Sequence, residues 1–483
     1  MSAVLPALVI APLAAALVIA LSSRSTGRVV DVLGNLGTFM VLALTVALAV
    51  PVLGGSEASW SLGDASPLGI NLNVDALSVL LLLVISVDSV AASVYSIAYM
   101  EEYTSKAKYY ILLLLMVAGM NMVVLGADLV NMYVGIEVAA LSCYALVAYG
   151  LGKAYLEASF RYQVLGTVGT LCLVAGIGLL YGRVGTVSFA GLIASEAPTV
   201  AGIGVPAILI LSGLALKAAF MPYHAWLPDA HSTAPSPVSG MLSGVFVKVV
   251  GVYGLFRLLF VLFEPGGVLA TALLVIAALS IVAGALLALA QMDIKRLLAY
   301  HTVSQMGYVL LGLAIGTPLA LVGALFHLVN HALFKELFFL GAGSVERQTG
   351  TRDIAVLGGL NSRMPVTGVT SAIGFLSISG CPPFNGFWSK FLIIVAAVQA
   401  DHVGLGVVGA LGAILTVASF LKYEKGVFFG ALPEALQKVK ESPASMWVPM
   451  VALAAACVAL GLAFPWFIER VLEPAVRVVM LGA

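Results

Sequence analysis

Apolar runs long enough to cross a lipid bilayer recur from one end of the chain to the other, separated by short polar connections. A crossing needs about 20 mainly apolar residues, and lipid requires each segment to satisfy its own backbone hydrogen bonds, so these runs predict helices. They fall near residues 3–22, 29–53, 76–99, 109–126, 129–150, 162–181, 203–221, 238–263, 268–290, 297–314, 319–343, 365–399, 404–428 and 446–467. About fourteen transmembrane helices follow. The runs do not alternate polar with apolar residues as a β-barrel would. The expected fold class is an all-α polytopic membrane protein. The first run is too long and too uncharged at its start for a cleaved signal peptide, so it is expected to be a retained span.

Composition agrees: 61% of the 483 residues are hydrophobic and 10% charged, with a mean hydropathy of +1.10. That excludes the soluble globular class. Basic loop residues collect on one side: Arg24, Arg28, Lys106, Lys108, Lys153, Arg161, Lys295, Arg296, Arg347, Arg352, Arg363, Lys422, Lys425, Lys438 and Lys440. The other side holds Arg183, Arg470 and Arg477. Positive loops face the cytoplasm, which predicts a multi-pass protein of a prokaryotic plasma membrane with both termini outside.

Five basic residues remain inside predicted spans: Lys217, Lys248, Arg257, Lys335 and Lys390. A charge near the bilayer centre costs about 2.5–3.5 kcal/mol, so such groups normally face the bundle interior and mark an ion or proton path. Glu137 and Asp88 are the acidic counterparts. The plain alternatives differ in weight. Arg257 lies two turns from Glu264, which favours snorkelling over transport. Asp88 could equally be a packing element. Isolated structural ion pairs would have to be invoked separately for Lys217, Lys248, Lys390 and Glu137.

The segment LFHLVNHALFKELFFL places His327, His331, Lys335 and Glu336 in an otherwise hydrophobic helix. His327, His331 and Lys335 recur at i, i+4 and i+8, so they share one face over about 12 Å. Two groups that titrate near neutral pH suit a proton relay. Zinc binding by the histidine pair is the rival, disfavoured because no acidic or cysteine ligand lies nearby at ligand spacing. Cys143, Cys172, Cys381 and Cys457 are scattered without a C-x-x-C pair, so no iron–sulfur cluster or zinc ribbon is expected. The 50 glycines sit mostly within spans, where small residues permit close helix packing, and form no convincing nucleotide loop. This chain is expected to carry no cofactor, no metal and no nucleic acid.

Two spans carry interruptions of the same kind. GLALKAAFMPYHAWLPDAHSTAPSPVSG puts Lys217 before Pro222, and GFLSISGCPPFNGFWSKF puts Pro382 and Pro383 mid-span with Lys390 after them. Proline removes a backbone donor, leaving free carbonyls that a membrane tolerates only where they line a cavity. Broken helices in matching positions of two halves are expected of an inverted-repeat transporter. The organisation expected is 1–108 as N-terminal helices 1–3, 109–263 as a first five-helix inverted repeat, 264–428 as a second, and 429–483 as the C-terminal helix.

The blocks LKAAFMPYHAWLPDAHSTAPSPVSGMLSGVFVKVVGVYGLFRL, DIKRLLAYHTVSQMGYVLLG, HLVNHALFKELFFLGAGSV and ISGCPPFNGFWSKFLI carry a resemblance. They resemble the antiporter-like proton-translocating subunits shared by respiratory complex I, Mrp-type sodium/proton antiporters and energy-converting membrane-bound hydrogenases. Within that family the chain is most similar to the Mrp D-type subunit and its hydrogenase homologue. The resemblance implies that Glu137 and Lys217 form an interacting pair, that Lys248 bridges, and that His327, His331 and Lys335 lie on a polar eleventh helix. It makes Lys390 the terminal ionisable residue and places His224, Asp229 and His231 in a polar loop after the seventh helix. Asp88 lies outside the matching motifs.

An opposite charge favours the charged form of a lysine while desolvation opposes it, so the distance between Glu137 and Lys217 would decide whether the lysine keeps its proton. The proton would pass through Lys248, His327, His331 and Lys335 to Lys390. The resemblance implies partners: other antiporter-like and small hydrophobic membrane subunits, lipid, H+, and either a soluble iron–sulfur, hydrogenase or dehydrogenase arm or none. Whether Na+ also passes, and whether the chain is instead a non-transporting structural subunit, stay open at this point.

Overall fold

The computed structural model describes residues 1–22, 27–63, 69–195, 200–262 and 267–480. Arg24 and Glu264 lie outside them. The helices are α1 (Val4–Leu21), α2 (Gly27–Leu53), α3 (Ala76–Tyr99), α4 (Lys106–Leu125), α5 (Leu129–Val147), α6 (Lys153–Val184), α7 (Phe189–Ala194), α8 (Val200–Lys217), α9 (Trp226–Thr233) and α10 (Ser236–Met241). Two π-helical stretches, Leu242–Phe246 and Lys248–Val252, join α10 to α11 (Tyr253–Leu262). There follow α12 (Gly267–Leu289), α13 (Ile294–Ile315), α14 (Pro318–Thr349), α15 (Pro365–Ser379), α16 (Asn385–Gln399), α17 (Val403–Val427), α18 (Ala444–Leu462), α19 (Phe464–Phe467) and α20 (Glu473–Met480).

Among the described residues twelve helices are long and apolar enough to cross a membrane, and two shorter apolar ones are Gly204–Lys217 and Pro365–Ser379. Those two are the first halves of the spans expected to be interrupted. Proline stands at each break, where it cannot donate to the preceding turn, and the Met221–Pro222 and Pro382–Pro383 peptides are cis. The packing repeats: α4 on α5, α5 on α6 and α6 on α8 correspond to α12 on α13, α13 on α14 and α14 on α15 and α16.

Among the described residues one small sheet joins the helices. Ala58–Leu62 (β1) and Ile70–Val74 (β2) pair antiparallel, with Trp60 opposite Leu72. Asp75 then caps α3, accepting from Ser78 N at 2.9 Å, which satisfies a donor that the first helical turn leaves free.

The middle of the bundle belongs to two segments. Every residue of α14 from Ala320 to Val345 is buried, and so is every residue from Ser236 to Phe256. By contrast α1, α2, α6 and α17 turn residues such as Leu17, Val50, Leu171 and Ile414 outward, the apolar exterior that a lipid environment calls for. Arg257 forms its ion pair with Asp75 of another segment: Nη1 donates to Oδ2 at 2.6 Å and Nη2 to Oδ1 at 2.8 Å. Lys295, counted above with the loops, is buried in the first turn of α13, where it donates to Ala234 O at 3.0 Å and pairs with Glu346 at 3.3 Å.

Candidate functional site

The ionisable residues inside the bundle sit on elements that pack one against the next. α8 packs on the second π-helical stretch, the first stretch on α14, and α14 on α16. That chain of contacts carries Lys217, Lys248, the histidine face and Lys390 in turn.

Lys217 is the last residue of α8, and its Nζ lies 4.0 Å from Glu137 Oε1 on α5. The two side chains differ in access: that of Lys217 is 4% exposed and that of Glu137 33%. Lys248 is wholly buried. Its Nζ donates to Ser243 O at 2.7 Å and also to Gly244 O, carbonyls of the wider π turns; such turns are common at functional sites.

On α14, His327, His331 and Lys335 are wholly buried on successive turns, with the two imidazole centroids 6.4 Å apart. His327 Nδ1 lies 3.0 Å from Ser389 Oγ of α16. Neither ring nitrogen of His331 has a partner. Lys335 Nζ donates to Leu298 O of α13 at 2.6 Å. Lys390 Nζ donates to Ile378 O at 2.7 Å and stands 4.9 Å over the Tyr308 ring. In an unbroken helix that carbonyl would accept from residue 382, but Pro382 has no N–H. The break in α15–α16 therefore supplies the oxygen that holds the lysine.

The residues after α8 divide. His231 is wholly buried and stacked on Phe339 with centroids 4.9 Å apart, and both its ring nitrogens are unpartnered. Asp229 bridges Arg161 at 3.1 Å and Arg296 at 2.9 Å in a partly exposed cluster, apart from the buried row. His224 lies in the turn between α8 and α9, 6.3 Å from the Tyr300 ring. Asp88 is wholly buried on α3, and neither carboxyl oxygen has a partner.

The structure adds three buried ionisable groups that the sequence pattern leaves out of the row. Glu336 is wholly buried beside Lys335, with both carboxyl oxygens unpartnered. His301 on α13 lies 4.7 Å from the Phe420 ring, its nitrogens unpartnered. Glu424 on α17 accepts from Ser371 Oγ at 2.6 Å. Glu336 stands in the same hydrophobic run as His327, and its charge is the available signal. Among the described residues no group of three or more His, Cys, Asp or Glu is placed to hold a metal ion.

Comparison with known proteins adds lineage to this geometry. Residues 126–416 match the family described as NADH:quinone oxidoreductase/Mrp antiporter, TM, and residues 60–110 match the complex I chain 5 N-terminus. NADH-quinone oxidoreductase subunit N of Desulforudis audaxviator is 34% identical, over 89% of this chain and 89% of that one. The D-type subunit of the Na(+)/H(+) antiporter of Alkalihalophilus pseudofirmus is 29% identical, over 95% of this chain and 93% of that one. A chain of the solved Mrp complex from Dietzia sp. superposes with a TM-score of 0.91 at 28% identity, covering 100% of this chain and 99% of that one. This chain therefore belongs to the family of antiporter-like transmembrane subunits of NADH:quinone oxidoreductases and Mrp antiporters.

Proposed function

We propose that this chain moves protons along Glu137, Lys217, Lys248, His327, His331, Lys335 and Lys390 as one subunit of a multisubunit membrane complex. One observation carries the reading: four lysines stand on packed elements in the bundle interior, each with its ammonium beside a carbonyl oxygen or a carboxylate. Residues 109–263 and 264–428 act as two inverted repeats, each built around one broken helix, between the helices of 1–108 and the final segment 429–483. The chain lies in a prokaryotic plasma membrane with both termini outside, as its basic loops favour.

The pair at 4.0 Å sets the energy scale. At an effective dielectric of about 20, two unit charges at that distance attract by about 4 kcal/mol. A lysine at mid-membrane costs about 2.5–3.5 kcal/mol. Attraction and penalty nearly cancel, so a modest swing of Glu137, the more exposed partner, decides whether Lys217 holds or releases its proton to Lys248. Any redox work belongs to partner subunits.

The test is proton translocation by membrane vesicles carrying the assembled complex. Glu137→Ala or Lys217→Ala abolishes it while the complex still co-purifies. Full pumping by either variant would overturn the pathway. Iron and nickel content of the purified complex, together with its subunit list, assigns it to a redox-driven assembly or to a secondary antiporter.

A further inference from the structure

Asp88 and Glu336 form a site of their own beside the lysine row. Both are wholly buried, and none of their carboxyl oxygens has a hydrogen-bond partner among the described residues. They meet over two glycines of the α10–α11 segment. A Cβ on Gly244 would stand 2.6 Å from Asp88 Oδ2 and 3.5 Å from Glu336 Oε2, so those oxygens are separated by no more than the sum of the two distances. A Cβ on Gly240 would collide with the Glu336 carboxyl. The missing side chains are what let the two acids approach each other and the π-helical turns.

The surroundings supply cations and neutral side chains, yet among the described residues none is hydrogen-bonded to either acid. Lys248 faces both acids, with its ammonium committed to Ser243 O and Gly244 O. His231, His331 and Lys335 face Lys248 from α9 and α14. Tyr109 of α4 faces Glu336, and Cys457 of α18 faces Asp88. An ionised carboxylate can only accept, whereas a protonated one also donates. Two buried carboxylates sharing a site repel, and one proton held by the pair removes one of the two charges.

We propose that Asp88 and Glu336 share one proton and serve as a storage site for Lys248, a role that rests on the proton pathway proposed above. When Lys248 is neutral, the O–H bond of the shared carboxyl breaks as an N–H bond forms on the lysine amine. Acid, carboxylate and amine become two carboxylates and an ammonium, and the net charge of the cluster is unchanged. The transfer therefore moves a proton without moving net charge into or out of the bundle centre.

Infrared spectroscopy of the purified complex at neutral pH tests this. A protonated-carboxyl C=O stretch is expected in the wild type. It is lost in Asp88→Asn and in Glu336→Gln alike, because the remaining acid then faces Lys248 alone and ionises. Asp88→Glu and Glu336→Asp keep both carboxyls and keep the band, which separates loss of the pair from loss of structure. Absence of the band in the wild type, or a band that survives both amide substitutions, overturns the proposal. The band reads the pair whether or not the complex transports, so its absence is distinguishable from intact pumping by Lys217→Ala.

Discussion

Replacing Asp75 with Asn breaks the ion pair through which Arg257 anchors α11 to the start of α3. Arg257 makes a two-pronged bond to Asp75, donates to Ser78 Oγ at 2.8 Å, and bonds the Tyr253 hydroxyl through Nε at 2.8 Å. Both partners are 14% exposed. Removing one member of a buried ion pair costs about 3–5 kcal/mol, because the other charge is left without compensation. Residual solvent access puts Asp75→Asn at the lower end, about 3 kcal/mol. Asp75→Ala also loses the acceptor that caps α3, a further loss of about 1 kcal/mol. Arg257→Met in the Asp75→Asn background removes the stranded charge and restores most of the loss. The assay is a double-mutant cycle on the purified complex, unfolded in detergent by SDS or urea titration. If the two single losses add in the double variant to within about 0.5 kcal/mol, the pair is uncoupled and the reasoning fails. The pH dependence has a definite sign. Burial pushes the Asp75 carboxyl up, but the Arg257 charge and the hydrogen bonds from Arg257 and Ser78 outweigh it and hold the pKa below the usual value. A depressed carboxyl stabilises fully above its unfolded pKa of about 3.9 and loses that contribution as pH falls through the folded value. The stability gap between wild type and Asp75→Asn is therefore constant from neutral pH down to about pH 5 and closes only in stronger acid.

Two further substitutions separate contacts that matter from contacts that do not. Gly386 is the second residue of α16, and a Cβ there would run into the Ser377 carbonyl of α15. Gly386→Ala is expected to cost about 1–3 kcal/mol by overpacking and to pull the Ile378 carbonyl away from Lys390; vesicles that pump protons at the wild-type rate would contradict the role given to the break. Asp229, in its partly exposed cluster with Arg161 and Arg296, should matter little: Asp229→Asn shifts stability by less than about 1 kcal/mol. A loss of pumping in that variant would place Asp229 in the pathway.

The spans are legible in the sequence because lipid leaves the backbone few choices. A run such as 29–53 becomes Gly27–Leu53, and the interrupted run 365–399 becomes α15 and α16 on either side of its prolines. The hairpin of β1 and β2 escapes such a reading, although Ile70-Asn71-Leu72-Asn73-Val74 alternates as a strand does; against fourteen long runs a five-residue strand is a weak signal. Lys295 reads as a loop residue because helix ends blur by a few residues, and one turn decides between water and the bundle. The π-helical stretches have no sequence period of their own. Glu336 adjoins Lys335, so it lies about 100° around the helix from the histidine face and drops out of any i, i+4 stripe. Its counterpart Asp88 comes from a distant segment, and only the fold brings the two together over Gly244.

Three of the four lysines share a feature that clarifies how such a row can work. Lys248, Lys335 and Lys390 are held by backbone carbonyls: Ser243 and Gly244 on π turns, Leu298 on α13, and Ile378 at a helix break. A carbonyl is a dipole and carries no net charge. When such a lysine gives up its proton, the neutral amine still donates to the same oxygen, and that oxygen is left with no uncompensated charge. A carboxylate partner would be stranded, at a cost of several kcal/mol. Carbonyl-held lysines can therefore be charged or neutral without a penalty on the partner's side. Like charges along the row repel, so the arrival of a proton at one site drives the next to release. Only Lys217 faces an anion at ion-pair distance, and that anion, Glu137, is the one member of the row with a third of its side chain exposed. In the proposed pathway such a design would put control at one end: the Glu137–Lys217 pair would set when a proton enters, and the carbonyl-held lysines would pass it on.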